Sequence, residues 1–277
     1  MASSPVQLLA NLHGLILDMD GVLWEGDSPL PGMPEFLSFL RAEEIRIILA
    51  TNNASLTPES YVQKLARMGV EVRREEIITS ATATAEYLKS VARPGEKIFI
   101  IGEEGLTRAV KETGLPMAEP DELHTAYVVC GMDRGLTWQK LANATIYLRG
   151  GARFIGTNPD LTFPTERGIA HGNGAVLAAL TAASGVKPTI IGKPFPSLFQ
   201  MALRKMGIPK ARVAALGDRL ETDILGARKV GIKSILVLTG ISSRKELRYS
   251  KIKPTLVVED LPSLQRAWLL ARRRRNG

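Results

Sequence analysis

The sequence contains little cysteine and no long apolar run, and both absences exclude classes of protein. A single cysteine, Cys130, cannot form an internal disulfide, and its place after the apolar residues Tyr127 to Val129 predicts a buried structural role. No apolar stretch approaches the roughly 18 residues that suggest a membrane span. The first ten residues carry no basic side chain before Leu8 and Leu9, which argues against a secretory signal. We therefore expect a cytoplasmic protein without a membrane partner.

Histidine is also scarce, and positive charge is concentrated near one end of the sequence. His13, His124 and His171 are the three histidines, and no two of them have the spacing of metal ligands. The net charge is +8, and four of the positive charges lie in the run Arg272 to Arg275. Such a run can contact nucleic acid or another acidic surface, and a solvated helix end is the alternative interpretation. Because no zinc-finger or RNP-type pattern accompanies it, we expect no nucleic-acid partner.

Apolar, strand-like runs alternate with helix-like stretches along all 277 residues. The predicted strands are 13–18, 45–50, 98–101, 126–131, 153–156, 189–191, 212–216, 234–238 and 255–258. The predicted helices are 33–43, 58–68, 80–91, 104–113, 137–149, 173–184, 196–206, 220–230 and 260–275. This alternation predicts parallel sheets covered by helices, and the length suggests one or two domains.

Polar clusters follow four of the predicted strands. They are Asp18 to Gly21, Thr51 to Asn53, Gly192 to Pro194, and Gly217 to Arg219. Since ligands of parallel sheets bind at the carboxyl ends of the strands, we expect the four clusters to share one edge. Taken singly, each cluster has a plain alternative, namely an acidic loop, an Asn-rich turn, a surface lysine and a helix cap.

The first cluster predicts metal-assisted chemistry. Asp18 and Asp20 are two residues apart in extended chain, so both side chains can face one pocket, and Gly21 allows a sharp turn after them. Two carboxylates this close repel each other unless a cation holds them, and magnesium prefers such oxygen ligands. One carboxylate can then act as a nucleophile and the other as an acid and base.

The other clusters supply what phosphoryl transfer needs. Thr51 offers a hydroxyl, and the turn at Asn52 and Asn53 offers backbone N–H groups to phosphate oxygens. Lys193 supplies a compact positive charge for the same phosphate. Asp218 is placed to complete a metal site with the aspartates of the first cluster. Together these groups predict an in-line displacement at phosphorus.

The four clusters together resemble the four motifs of the haloacid dehalogenase superfamily in its phosphatase form. The matching segments are Asp18 to Leu23, Thr51 to Asn53, Lys193 with Pro194, and Gly217 to Asp223. The segment Asp18 to Trp24 followed by Thr51 to Asn53, together with residues 156–174, resembles subfamily IIA. This is the branch of the NagD-type nucleotide phosphatases and of the p-nitrophenyl, phosphoglycolate and pyridoxal-phosphate phosphatases. The resemblance implies a Rossmann-like, three-layer α/β/α core with a parallel sheet and an inserted α/β cap domain of the C2 type.

The resemblance also implies a role for each motif residue. Asp18 would be the nucleophile that forms an aspartyl-phosphate, and Asp20 would protonate the leaving group and then activate water. A dehalogenase would not need this second acid. The phosphoryl oxygens would be held by Thr51, Asn52, Asn53 and Lys193. The magnesium site would consist of Asp18, the carbonyl oxygen of Asp20, Asp218 and, fixing a metal-bound water or Lys193, Asp223.

The length between the second and third motifs predicts the inserted domain. Asn53 and Lys193 are 140 positions apart, whereas a parallel crossover needs only a dozen or more residues. Turn-like residues at 93–95 and 185–188 mark its limits, which gives a core of residues 1–92 plus 188–277 and a cap of residues 93–187. Such a cap can close over the site and exclude water.

We expect the cap to supply substrate contacts, from Asp160 to Pro164 and from His171 to Gly174. Phe163 can stack on a base or ring of the substrate, and His171 can contact a polar group. Two alternatives stay open: Phe163 belongs to the core of the cap, and His171 caps the helix that follows it.

These inferences predict a magnesium-dependent phosphomonoesterase. Its substrate would be a small phosphorylated metabolite of the nucleotide, sugar phosphate, phosphoglycolate or pyridoxal phosphate class. A phosphoryl transferase that uses the same aspartyl-phosphate is the first alternative, and a receiver-type signalling domain is the second. The resemblance also makes a homodimer through the cap a candidate assembly.

Overall fold

The computed structural model describes residues 5–119, 122–165 and 167–276. In these residues the strands are β1 (Gly14–Leu17), β2 (Trp24–Glu25), β3 (Ser28–Pro29), β4 (Arg46–Thr51), β5 (Ile77–Thr79), β6 (Ile98–Ile101), β7 (Tyr127–Cys130), β8 (Arg153–Gly156), β9 (Thr162–Thr165), β10 (Gly168–His171), β11 (Thr189–Ile190), β12 (Val213–Gly217), β13 (Lys233–Val237) and β14 (Leu256–Val258). The helices are α1 (Pro5–Ala10), α2 (Met33–Ala42), α3 (Pro58–Arg67), α4 (Ser80–Val91), α5 (Glu104–Lys111), α6 (Trp138–Arg149), α7 (Asn173–Ser184), α8 (Pro196–Met206), α9 (Leu225–Val230), α10 (Arg244–Tyr249) and α11 (Leu261–Asn276).

The chain divides into two compact units, each made of more than one segment. The first unit contains the residues up to Thr51, Val62–Ile78 and the residues from Phe199 onward. The second contains Asn52–Tyr61 and Thr79–Leu198. This second unit extends beyond the predicted cap of residues 93–187, because β11 pairs with β8 and α4 packs with α5. The predicted domain limits therefore stay a prediction.

A six-stranded sheet forms the middle of the first unit, in the order β14-β13-β12-β1-β4-β5. Strand β1 pairs in parallel with both neighbours, so Leu17 lies opposite Leu216 and Leu49. All four residues of β1 are buried, as expected for a strand covered by helices on both faces. This parallel sheet confirms the predicted α/β class and accounts for the unbroken apolar runs of the sequence.

An ion pair between exposed Arg41 and buried Glu76 fixes one end of helix α2 in the first unit. Arg41 donates through Nη1 to Oε1 of Glu76 at 2.5 Å and through Nη2 to Oε2 at 2.7 Å. Burial raises the pKa of Glu76, but hydrogen bonds from Arg41 and from the backbone of Arg73 outweigh it and hold that pKa below its usual value. The ion pair therefore ties α2 to the turn that precedes β5.

A four-stranded parallel sheet forms the middle of the second unit, in the order β11-β8-β7-β6. Its core contains Phe99, which meets the ring of Tyr147 edge-on at 5.1 Å, and the predicted buried cysteine, Cys130. Burial raises the pKa of the Cys130 thiol far above its ordinary value. The buried structural role predicted for Cys130 is confirmed.

All nine predicted strands and all nine predicted helices have a counterpart, but six short elements of the described residues were not predicted. They are helix α1, the antiparallel pair β2 and β3, the antiparallel pair β9 and β10, and helix α10. Each has only two to six residues, so none displays enough of a period to be recognised. The short apolar stretch at Ile77 and Ile78 forms β5.

The helix predicted at 220–230 begins in a different form. Residues Leu220–Ile224 make a π-helical turn, and the α-helix starts at Leu225. Within that turn the carboxylate of Asp223 accepts the backbone N–H of Arg219 at 3.3 Å and the hydroxyl of Thr222 at 3.2 Å. A side chain that bonds its own turn competes with the regular helical pattern, which explains the difference.

The arginine run lies on α11, and part of it makes intramolecular contacts. The guanidinium of Arg272 lies 3.7 Å from Glu43 and donates to the carbonyl of Leu12 at 3.4 Å. The side chains of Arg274 and Arg275 lie outside the described residues. No helix in the described part of the chain has the length and apolar composition needed to cross a bilayer.

Candidate active site

Three carboxylates meet at the carboxyl edge of the first unit's sheet. Asp18 follows β1, Asp218 follows the adjacent strand β12, and Asp223 lies in the π-helical turn after it. One oxygen from each side chain lies within 4.8 Å of the other two, and this is the only such group of three among the residues described. Asp218 and Asp223 are buried, and Asp18 is half-buried. The structure thus brings together three of the four predicted metal-site residues.

Backbone N–H groups orient two of these carboxylates. Asp18 accepts from the backbone N of Met19 at 2.8 Å, and Asp218 accepts from the backbone N of Ile241 at 2.7 Å. Such donors carry no net charge, so they fix the oxygens without cancelling the negative charge of the group. Three close carboxylates form a site of the kind that attracts a hard divalent cation.

Glycines surround the carboxylates because no side chain would fit. A Cβ atom at Gly21 would lie 2.6 Å from Oδ2 of Asp218, and one at Gly240 would lie 2.0 Å from the same oxygen. A Cβ atom at Gly217 would lie 2.3 Å from Cβ and Cγ of Asp223. Gly21 also has a φ of +76°, a conformation that glycine adopts without strain. The carboxylates therefore lie directly against backbone.

The loop after β13 belongs to this site and was not predicted. Its residues Gly240 and Ile241 contact Asp218, the backbone N of Ser242 donates to the Asp218 carbonyl at 3.0 Å, and Thr239 donates its hydroxyl to the Gly21 carbonyl at 2.7 Å. The sequence did contain a pattern that could have predicted this loop, because the loop is a further polar cluster directly after a predicted strand.

Asp20 lies two residues after Asp18 but is not part of the group of three carboxylates. Its side chain is exposed, and its Oδ1 accepts the indole N–H of Trp24 at 2.8 Å. Its predicted roles as acid, as base and as a carbonyl ligand of magnesium stay predictions. A carboxyl group that is exposed and held by one donor can exchange protons with a bound molecule or water.

The second polar cluster is split between the two units. Thr51 ends β4, next to β1, and is buried. Asn53 accepts the backbone N–H of Ser55 at 2.7 Å, which is a turn of the kind proposed as the plain alternative. The assignment of Thr51, Asn52 and Asn53 to phosphate binding stays a prediction.

Asn52 and Lys193 hold each other within the second unit. The backbone N of Lys193 donates to Oδ1 of Asn52 at 2.7 Å, and Nδ2 of Asn52 donates to the Lys193 carbonyl at 3.0 Å. Asn158 and Ser80 fix the Asn52 carbonyl in turn, at 2.8 Å and 2.5 Å. The Asn52 side chain is therefore a support for Lys193. Lys193 is buried, so the alternative of a surface lysine is wrong.

The two predicted cap residues lie on the antiparallel pair β9 and β10. Phe163 is half-buried opposite Ala170, and His171 is exposed opposite Thr162. Helix α7 has Gly172 at its N-cap position, without a side-chain cap, so the alternative that His171 caps this helix is wrong. Phe163 is absent from the described hydrophobic core of the second unit. Substrate contact by either residue stays a prediction.

Family comparisons agree with these motifs. Residues 15–116 match the model described as haloacid dehalogenase-like hydrolase, and residues 190–264 match a second HAD hydrolase-like model. The chain is similar to an acid sugar phosphatase from Staphylococcus aureus strain USA300, with 39% identity over 246 residues. That alignment covers 89% of this chain and 94% of the relative.

Two solved structures are also similar along nearly the whole chain. The 4-nitrophenylphosphatase from Thermotoga maritima superposes with a TM-score of 0.88 at 37% identity, covering 94% of this chain and 98% of that one. A glycerol phosphate phosphatase from Mycobacterium tuberculosis, solved in complex with magnesium, gives a TM-score of 0.87 at 34% identity. It covers 98% of this chain and 80% of that one.

Proposed function

Because the chain belongs to the haloacid dehalogenase-like hydrolase family and is a phosphatase, we propose that it hydrolyses small phosphate monoesters by way of a phosphorylated Asp18. The substrates named for its relatives are a sugar phosphate, a nitrophenyl phosphate and a glycerol phosphate. We propose a substrate of the same size, a monoester of a sugar or another small alcohol.

This proposal rests on one observation, the close approach of the carboxylates of Asp18, Asp218 and Asp223. Asp18 follows β1, which lies between β4 and β12, and carboxyl ends of parallel strands are where ligands bind. It is the most accessible of the three carboxylates, which suits the group that must reach phosphorus. Asp218 and Asp223 are buried and held by hydrogen bonds, which suits groups that stay in place.

The reaction has two steps on this chain's residues. The Asp18 carboxylate attacks phosphorus, the bond from phosphorus to the alcohol oxygen breaks, and Asp20 gives its proton to the departing oxygen. Asp20, now a carboxylate, takes a proton from water, and that water attacks the aspartyl-phosphate. Inorganic phosphate leaves, and both aspartates return to their starting forms. The sum of the two steps is hydrolysis of one monoester.

Magnesium fits the residues at the edge of the sheet. Asp18, Asp218 and the carbonyl oxygen of Asp20 would hold it, and Asp223 would orient a water beside it. All of these donors are hard oxygens, and three carboxylate oxygens already lie within 4.8 Å of one another. When bound, magnesium supplies the positive charge that offsets repulsion between a carboxylate and a phosphate.

The phosphate-binding assignments rest on the motif match. Lys193, the Thr51 hydroxyl and the backbone N–H groups of Asn52 and Asn53 are proposed to bind the phosphoryl oxygens. The mutual hydrogen bonds of Asn52 and Lys193 support a common task for the second and third motifs.

Phosphate release from 4-nitrophenyl phosphate, glycerol phosphate and sugar phosphates tests the proposal, with magnesium added and then removed by EDTA. Asp18→Asn should abolish release and the acid-trapped phosphoprotein, and Asp20→Asn should lower turnover by about 10²–10⁴. Asp260→Asn is the matched control, because Asp260 caps α11 and asparagine caps equally well. Turnover by Asp18→Asn, or full activity in EDTA, would contradict the proposal.

A further inference from the structure

An indole group holds the exposed carboxylate of Asp20. Trp24 is completely buried, and its Nε1 donates to Oδ1 of Asp20 at 2.8 Å. A buried tryptophan needs a partner for its N–H, and here that partner is the side chain proposed as the general acid. The contact joins the interior of the first unit to a group that faces solvent.

Hydrogen bonds hold the backbone turn between Asp20 and Trp24. The backbone N of Gly21 donates to the Trp24 carbonyl at 2.8 Å, and Trp24 then pairs with Pro29 in the antiparallel pair β2 and β3. Thr239 fixes the Gly21 carbonyl at 2.7 Å. The turn is therefore held on both sides, and the indole has little freedom to move away from the carboxylate.

Lys64 on helix α3 contacts the face of the same ring. Its Nζ lies 4.8 Å from the centre of the Trp24 ring. The same Nζ donates to the Gly26 carbonyl at 2.6 Å and pairs with Asp27 at 3.2 Å. A cation over an indole face is attracted to the ring and draws electron density from it, which makes the indole N–H a stronger donor.

We propose that Trp24 is a positioning residue for the proposed general acid, and this inference rests on the proposed function. The indole N–H of Trp24 donates to one oxygen of Asp20, Oδ1, which is therefore a hydrogen-bond acceptor. The hydrogen bond leaves the other oxygen, Oδ2, to face a leaving alcohol. The indole thus fixes the direction of the carboxyl group and selects the oxygen from which the leaving alcohol receives its proton.

This role predicts a defect that depends on the leaving group. The ratio kcat/KM covers the steps up to departure of the alcohol, so it reports protonation by Asp20. 4-Nitrophenolate leaves without a proton, whereas the alkoxide of glycerol phosphate needs one. Trp24→Phe keeps a buried ring and removes the N–H. We expect it to lower kcat/KM about ten-fold for glycerol phosphate and to leave 4-nitrophenyl phosphate nearly unchanged.

Trp268→Phe is the matched control. Trp268 is equally buried in the first unit, where it meets Phe39 edge-on at 6.1 Å, and its indole N–H has no hydrogen-bond partner among the residues described. A general loss of packing would change both substrates alike and would affect the two tryptophan variants similarly. Melting temperatures of both variants show whether they are folded.

The outcomes separate this inference from the proposed function. If Asp20→Asn shows no dependence on the leaving group, the proposed general acid is wrong. The role of Trp24 is wrong if Asp20→Asn does depend on the leaving group but folded Trp24→Phe does not. Such a Trp24→Phe variant would lose kcat/KM equally for both substrates or would lose it for neither substrate. Should Trp24→Phe not fold, Lys64→Met decides, because it keeps the indole and weakens its donor. We expect Lys64→Met to lose about three-fold in kcat/KM for glycerol phosphate alone. The absence of this selective loss would overturn the inference.

Discussion

A methyl group at Gly240 should disable the proposed magnesium site without changing any charge. The Cβ atom of Gly240→Ala would lie 2.0 Å from Oδ2 and 2.6 Å from Cβ and Cγ of Asp218, where 3.4 Å is an ordinary contact. Either the carboxylate or the loop must therefore move by more than about 1 Å, and a shift of that size can cost about 10²-fold in rate. The shift would also break the 2.7 Å hydrogen bond from Ile241 to Asp218.

A magnesium titration is the assay. We expect Gly240→Ala to need about 10–100 times more magnesium for half-maximal release of nitrophenol, the usual effect of disturbing the surroundings of a metal ligand. Gly135→Ala is the control, because its nearest neighbour would be Oδ1 of Asp133 at 3.3 Å, outside the proposed site. Circular dichroism establishes that both variants are folded.

One result would refute the reasoning. If folded Gly240→Ala had the magnesium dependence and turnover of the unmodified protein, Asp218 would not be a ligand. The group of three carboxylates would then be a structural cluster, and the metal would have to bind elsewhere.

Three further predictions concern the pKa values and contacts described above. Glu76→Gln should lower the free energy of unfolding in urea by about 2 kcal/mol at pH 7. Because the folded pKa of Glu76 is lowered, this difference should shrink as the pH falls below about 4, and a constant difference would contradict the ion pair. Cys130 should resist a thiol reagent until urea unfolds the protein, since it is buried; rapid native labelling would refute this. Asn52→Ala should lower kcat/KM at least about ten-fold by releasing Lys193; unchanged kinetics would exclude that support.

The sequence was sufficient to predict the parallel sheet and the positions of its strand ends. Strand β1 is buried on both faces and therefore reads as an unbroken apolar run, and Asp18 follows it directly. Asp218 follows β12 in the same way. Polar residues at the ends of apolar strands are local features, so a single pass along the chain finds them.

Features that depend on distant parts of the chain were missed. The contact of Gly240 with Asp218 joins residues that are 22 positions apart, and no local pattern reports it. The pairing of β11 with β8 was likewise invisible, because a two-residue strand carries no information about its neighbour. Asn52 looked like a phosphate ligand by motif, and only the structure shows its side chain bonded to Lys193.

The order of the strands in the sheet has a consequence for how the enzyme is made. After Asp18 is synthesised, β12 joins β1 only when some 200 further residues have been made, and the loop with Gly240 and Ile241 comes later still. A chain that has been synthesised only as far as the second unit therefore carries Asp18, the proposed nucleophile, without the carboxylates that would share a metal with it. Phosphatase activity during translation should appear abruptly, only after the loop with Gly240 and Ile241 has been made, and its appearance marks the closing of the sheet around β1.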